Sequence, residues 1–333
     1  MSGLPRIHGG PDALGAPQYD FSTNSNACGP CPQALVAVHQ VDSTRYPDPG
    51  YTDLRQRLAH FHGVGAVRIL LAGSASECIF RMTAWLRQQG GRTVSLPPHA
   101  YGDYAHAAQA WGLQAVARPD AADLVWACEP SSPMGQAHAT WPLGLQSGEA
   151  LRQAVVVDCA YAPLRLQGRP SLDGAQRQQV WQLFSPNKAL GLTGVRAAYA
   201  IAPQGAQACV TQLDALAPSW VLGAHGVAML QAWTHADTQA WLQHSLETLR
   251  GWKDSQRALL HGLGWTVLPS DTPFFCARPP QGIAVTALCA TLRSRGIKLR
   301  DAASFGLPGH VRLGVLPPAA QQALAEALDE KWA

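Results

Sequence analysis

The sequence predicts an α/β fold: a large unit built on a mainly parallel sheet covered by helices, followed by a smaller α+β C-terminal unit. Two patterns and one bound carry this expectation. Between residues 67 and 184, short apolar runs bounded by turn residues alternate with helix-length segments, the signature of strands buried on both faces. Beyond Arg196 that alternation gives way to a long Ala-, Leu-, Trp- and Gln-rich stretch and a second, shorter set of strands. The chain is 333 residues long with 47% apolar and 14% charged residues, more than one ordinary domain and ample for a large core.

Taken in order, residues 1–30 are rich in Gly, Pro, Asn and Ser and read as irregular, and the arm expected to pack on the small unit spans 1–35. A helix is expected over 32–41. After the turn Tyr46-Pro-Asp-Pro-Gly-Tyr51, Leu54, Leu58 and Phe61 share one face of a helix over Thr52–Phe61. Strands follow at Val67–Ala72, Thr93–Leu96, Leu124–Cys128, Val155–Asp158 and Val180–Phe184, with helices at Ala75–Gln89 and Tyr104–Trp111. The large unit is expected to span 36–218. An inter-domain helix over Val221–Lys253 opens the region 219–333. Strands at Trp265–Leu268, Phe274–Ala277 and Val311–Val315, and helices at Val285–Arg295 and Pro318–Lys331, complete it.

Composition narrows the function. A net charge of +3 without a Lys/Arg block is no footprint for nucleic acid. No run of about 18 apolar residues predicts a membrane span, and Met1–Gly10 lacks the apolar segment of a signal peptide, so a cytoplasmic protein is expected. The 8 cysteines are scattered, several inside apolar strand-like runs, as reduced core thiols are. Cys28-Gly-Pro-Cys31 is spelled like a disulfide-exchange motif, but it sits in a loop that no short βαβ pattern leads into. It reads as a turn before a helix. No metal site is expected.

The chemistry concentrates in two segments. Val155-Val-Val-Asp158-Cys-Ala-Tyr161 is an apolar strand ending in an acid and a phenol. Phe184-Ser-Pro-Asn-Lys188-Ala-Leu-Gly-Leu-Thr-Gly-Val-Arg196 then places a lysine in a small-residue turn and an arginine beyond it. An amine, an anion and a cation in one short stretch suit pyridoxal 5'-phosphate (PLP): the amine forms a Schiff base, the anion meets the ring nitrogen and the cation meets the phosphate. Each residue has a bland alternative, respectively a solvated lysine, a helix-capping acid and a surface arginine. Ala72-Gly-Ser-Ala-Ser76 follows a strand and opens a helix, where backbone amides can face an anion.

These segments resemble the fold type I, class I/II aminotransferase superfamily and its S-x-S-K-x-x-G-L-x-G-x-R motif. The resemblance runs from His8 to the C-terminal helix. It implies catalytic roles for Lys188, Asp158 and Tyr161, and cofactor contacts from Ser74, Ala75, Ser185 and Arg196. In Ala100-Tyr-Gly-Asp-Tyr104 it implies that Tyr104 stacks on the pyridine ring, with Tyr101 the alternative. Tyr46 matches a tyrosine that reaches the neighbouring subunit's cofactor phosphate, so a homodimer with shared active sites is implied. Glu129-Pro-Ser-Ser-Pro-Met-Gly135 stands where the family reads N-P-x-N-P-T-G, which puts Ser132 in place of the asparagine that contacts the ring oxygen.

For the substrate, Gly296-Ile-Lys-Leu-Arg300-Asp and Gly309-His-Val-Arg312-Leu resemble the arginine pattern of the histidinol-phosphate aminotransferase branch, in which Arg300 and Arg312 hold a carboxylate or phosphate. Asn26 matches a pocket-lining asparagine. The opening His8-Gly-Gly10 and Asp20-Phe-Ser-Thr-Asn-Ser-Asn26 resemble the L-threonine-O-3-phosphate decarboxylase branch of cobalamin biosynthesis. That branch is the favoured expectation. A histidinol-phosphate-type aminotransferase using 2-oxoglutarate is the alternative, and a catalytically silent PLP-binding protein a remote one.

Overall fold

The computed structural model describes residues 8–149 and 151–332. In chain order the strands are β1 (Tyr19–Asp20), β2 (Ile69–Ala72), β3 (Thr93–Ser95), β4 (Gln114–Ala115), β5 (Leu124–Cys128), β6 (Ala154–Asp158), β7 (Trp181–Phe184), β8 (Ala198–Ile201), β9 (Thr266–Val267), β10 (Phe274–Arg278), β11 (Ile297–Lys298), β12 (Arg300–Asp301) and β13 (Val311–Gly314). The helices are α1 (Pro32–Gln40), α2 (Thr52–His62), α3 (Ala75–Gln88), α4 (Gly102–Ala110), α5 (Leu143–Ser147), α6 (Gly174–Arg177), α7 (Gln207–Ala215), α8 (Ala224–Trp233), α9 (Ala236–Gly262), α10 (Val285–Ser294) and α11 (Pro318–Trp332). Among the described residues, no helix is long and apolar enough to cross a membrane.

The large sheet has seven strands in the order β2-β8-β7-β6-β5-β3-β4. β3 through β7 pair in parallel, while β8 runs against both its neighbours, β2 and β7. The expectation of a mainly parallel, covered sheet holds. The sheet is dry: every residue of β2, β5 and β8 is buried, which is why β2 and β5 read as continuous apolar runs instead of alternating ones. Cys128 and Asp158 are register partners, so β5 and β6 end level with each other. The turns after β5, β6 and β7 therefore open at one edge, where ligands of open α/β sheets bind.

A four-stranded antiparallel sheet, β12-β13-β10-β9, lies beyond α9. Residues 12–26 run along it. β1 pairs in parallel with β11, and Gly314 N–H donates to Phe21 O. Asp12 bridges Arg293 at 2.7 Å and Lys298 at 2.9 Å.

Two features depart from the sequence reading. The expected helix over Val221–Lys253 is broken: α8 ends at Trp233, His235 is extended (φ −78°, ψ 139°), and the 27-residue α9 begins at Ala236. Polar side chains stabilise the break, Thr234 Oγ1 donating to Gln231 O and Gln239 Nε2 to Trp233 O. Second, β8 and α7 fall between Arg196 and the long helices, where no element is expected. Ala198-Tyr-Ala-Ile201 is too short and alanine-rich to read as a strand, and it is recruited by pairing on both sides.

Candidate active site

Two adjoining clefts of about 420 and 560 Å³ meet over the open edge of the large sheet, and Lys188, Tyr161, Ser132 and Tyr101 line both. Lys188 sits in the turn after β7. Asn187 braces that turn, its side-chain amide reaching Thr193 O and Val195 O. The arm braces it from the other side, with Asn26 N–H donating to Lys188 O at 2.9 Å and Cys31 N–H to Leu190 O at 2.8 Å. Gly191 permits this approach. Its φ is +67°, and an added Cβ would lie 2.6 Å from Gly29 O.

Lys188 Nζ donates to Ser185 Oγ at 3.2 Å and lies 5.7 Å from the centre of the Tyr161 ring. Burial lowers the amine's proton affinity, Arg196 and Arg312 add to this, and Asp158 opposes it. Burial likewise raises the Asp158 carboxyl, against a hydrogen bond from Tyr104 and the charge of Lys188. Burial thus works against the charged form of each group, and the two charges work to restore it in the other. A lysine with a lowered pKa is the nucleophilic amine that carbonyl chemistry requires.

Asp158 is fixed at the end of β6, Oδ1 accepting from Ala160 N–H at 2.9 Å and Oδ2 from the Tyr104 hydroxyl at 2.7 Å. Tyr104, expected to stack on the pyridine ring, lines the larger cleft together with Tyr101. Its ring is fully buried, lies flat against Trp126 with centroids 4.9 Å apart, and its phenol is committed to Asp158. Tyr101, half-buried at the start of α4 and in both clefts, is the aromatic face that a ring could meet; its hydroxyl reaches Ser76 Oγ at 3.0 Å. Burial pushes the Tyr161 phenol up to about 12, so it remains a donor at neutral pH.

The anion cradle is local. α3, a 14-residue helix, starts at the cleft, and Ser74 caps it by accepting from Glu77 N–H. Ser74, Ala75, Ser185 and Arg196 all line the larger cleft. Arg196 is exposed and has no acidic partner among the described residues, so a surface ion pair does not account for it. An amine, a buried carboxylate level with the cleft floor, and a helix N-terminus with an arginine therefore fit the three ends of PLP.

On the opposite wall, Arg300 and Arg312 face each other across β12 and β13. Arg312 donates to Ser22 O at 2.6 Å and lies 3.4 Å from Ser132 Oγ, while its Nε is buried without a partner. Burial lowers both guanidinium pKa values, that of Arg300 to about 10 with Arg312 contributing. The expectation for Asn26 is overturned. Its side chain holds Ala189 O and Cys28 N–H and does not line the clefts. Asn24 does, with Nδ2 3.5 Å from the Tyr161 hydroxyl and Oδ1 buried without a partner. The Asp-Phe-Ser-Thr-Asn spelling was the available signal for Asn24. For Phe305 and Thr193, also in the cleft, the sequence carries no signal.

Tyr46 lines neither cleft. It is 76% exposed and stacks on Trp220 with ring centres 4.3 Å apart.

Comparison with known proteins agrees with this geometry. The family profile described as Aminotransferase class I and II matches residues 14–124 and 113–329. A histidinol-phosphate aminotransferase of Symbiobacterium thermophilum is 28% identical over 92% of this chain and 89% of its own length. Among solved structures, histidinol-phosphate aminotransferase of Sinorhizobium meliloti in complex with pyridoxal-5'-phosphate aligns at a TM-score of 0.79, with 23% identity, over 98% of this chain and 95% of that one. L-threonine-O-3-phosphate decarboxylase of Porphyromonas gingivalis aligns at 0.76, with 22% identity, over 93% and 97%. The chain belongs to the class I and II aminotransferase family and is a PLP-dependent enzyme.

Proposed function

We propose that this enzyme decarboxylates a small phosphorylated amino acid, with O-phospho-L-threonine the best candidate, and so serves cobalamin biosynthesis. The observation that carries the reading is the pair of directly opposed arginines, Arg300 and Arg312, in the cleft that holds Lys188. Two adjacent cations suit a substrate with a carboxylate and a phosphate, and the planar donor fork of arginine suits both groups. The His8-Gly-Gly and Asp20-Phe-Ser segments of the arm support the same reading. Gly9 is packed so closely on Ser22 O that any side chain would collide with it.

In this reading Lys188 would hold the cofactor through its amine, Asp158 would meet the ring nitrogen, and Tyr161 with Ser132 would meet the ring oxygen. Ser74, Ala75, Ser185 and Arg196 hold the phosphate, and Tyr101 covers the ring. When bound, PLP supplies an electron sink for the negative charge that develops at the substrate Cα. Arg312 would hold and orient the substrate carboxylate, the group that leaves as CO₂. The Lys188 amine, free once the substrate amine takes its place on the cofactor, would deliver the proton to Cα that replaces the departed CO₂. Asn24, its Oδ1 free to accept, orients the substrate's polar end.

We further propose a cytoplasmic homodimer in which Tyr46 crosses to the partner's phosphate cradle. The chain would divide into an arm (1–35), a cofactor-binding unit (36–218) and a small unit with its connecting helices (219–333). A histidinol-phosphate-type aminotransferase is the second reading, favoured by the names of the curated relatives.

The test is to supply O-phospho-L-threonine to the PLP-loaded protein, following CO₂ and aminopropanol phosphate with and without 2-oxoglutarate. CO₂ release without an acceptor, absent in Lys188→Ala, supports decarboxylation. Glutamate formation from histidinol phosphate, without CO₂, overturns it in favour of transamination.

A further inference from the structure

Arg300 and Arg312 are cross-strand partners, so their like charges start from directly opposed positions on β12 and β13, an arrangement that is repulsive by itself. One side chain lies against both. The Phe305 ring centre is 4.7 Å from the Arg300 guanidinium carbon and 5.3 Å from that of Arg312. The negative face of an aromatic ring attracts a cation at such distances, most strongly where water is excluded. Phe305 belongs to the short turn Ala303–Phe305 that closes on Ala302, and it lines the cleft beside Lys188.

The turn is anchored at both ends. Arg300 donates to Ser304 Oγ at 2.7 Å, and His99 Nδ1 lies 2.8 Å from Phe305 O. A carbonyl oxygen only accepts, so His99 carries the proton on Nδ1. The Phe305 backbone is thereby tied to the loop between β3 and α4, the same loop that presents Tyr101. A ring held on two sides is a rigid support, and a rigid support is what two long, mutually repelling side chains need to keep one geometry.

We propose that Phe305 is a positioning residue that holds Arg300 and Arg312 as one anion-binding unit and so sets the affinity for the substrate's charged groups. The inference rests on the reading of these arginines as the substrate's anion site. The experiment compares Phe305→Leu, Phe305→Met and Phe305→Tyr with the wild type, all as PLP-loaded enzyme. Inorganic phosphate is titrated in by calorimetry, and steady-state rates are measured on whichever amino acid the wild type turns over.

A lost cation–π contact predicts that Phe305→Leu and Phe305→Met weaken phosphate binding and raise KM about tenfold. It predicts kcat within about threefold of wild type, and near-wild-type values for Phe305→Tyr, which keeps the ring. Unchanged phosphate binding in the Leu or Met variant, whichever retains its cofactor absorbance, overturns the proposal. So does a kcat loss with KM unaltered, or a Tyr variant as weak as Leu. A wild type that fails to bind phosphate instead removes the anion-site reading beneath it, and that failure is recognisable because it precedes any substitution.

Discussion

Tyr104 donates its phenolic hydrogen to Asp158 Oδ2 across 2.7 Å, and both residues are buried. A hydrogen bond to a charged acceptor stabilises the charged form, so this contact works against the burial that raises the Asp158 carboxyl. Trp126 lies flat on the Tyr104 ring and fixes the direction from which the phenol approaches.

Removing that donor should weaken the enzyme without unfolding it. Tyr104→Phe keeps the ring and its contact with Trp126, and loses a charge-assisted bond of about 1.5–3 kcal/mol. We expect kcat to fall roughly 10- to 100-fold and PLP to bind more weakly. Steady-state rates and a cofactor titration followed by visible absorbance check this. Rates equal to wild type would show that Asp158 needs no support from Tyr104.

The two arm asparagines should separate cleanly. Asn24 faces the cleft with an unpartnered oxygen, whereas Asn26 ties the arm to the Lys188 turn. Asn24→Ala is expected to raise KM several-fold with little change in melting temperature. Asn26→Ala loses two side-chain hydrogen bonds, one buried and one partly buried, at about 1 kcal/mol each, and should lower the melting temperature by several degrees. Thermal melts and KM values on both variants decide the matter, and reversed effects would restore Asn26 to the pocket.

Stability should fall in mild acid because of His62. Its Nε2 lies 2.7 Å from the Tyr199 hydroxyl, which itself accepts from Trp233 Nε1 at 3.1 Å, so the hydroxyl proton points to a neutral imidazole. Burial pulls the His62 pKa from 6.5 down to about 4. Above pH 6.5 the ring is neutral folded or unfolded and contributes no pH dependence. Below it the unfolded chain takes up a proton that the folded one refuses, so stability drains away as pH falls from about 6.5 toward 4, by up to about 2–3 kcal/mol. Denaturant midpoints across that range should show the slope, and His62→Gln should flatten it.

Cys28→Ser should leave turnover intact. Burial pushes the Cys28 thiol up, the reverse of an activated thiolate, and its sulfur contacts Ser245 O at 3.7 Å. Turnover lost in Cys28→Ser and retained in Lys188→Ala would return the disulfide-exchange reading of Cys28-Gly-Pro-Cys31.

The cofactor end of the site was legible in the sequence because its chemistry is local. Asp158 follows its strand directly, Lys188 and Arg196 lie on one turn, and Ser74 caps the helix that follows β2, so short-range spacing carries the pattern. The substrate end was less legible. Arg300 and Arg312 could be named, but their being opposed is a matter of strand register, and Phe305 between them has no spelling of its own. Tyr101 and Tyr104 lie one helical turn apart, and Asn24 and Asn26 two residues apart. Either member of each pair satisfies a motif; the tertiary structure brings both tyrosines to the larger cleft, and ties the Asn26 side chain to Ala189 O while Asn24 lines the cleft.

What the sequence determined by itself was the alternation of buried strands and helices, and the lysine, acid and arginine proposed to meet PLP. Both are written in periodicity and in residue type over short distances. What the tertiary structure alone decided was the break between α8 and α9, the insertion of antiparallel β8, the hydrogen bond from Tyr104 to Asp158, and which asparagine lines the cleft. These depend on contacts between residues far apart in the chain, whose free energies outweigh local preference and leave no periodic trace in it.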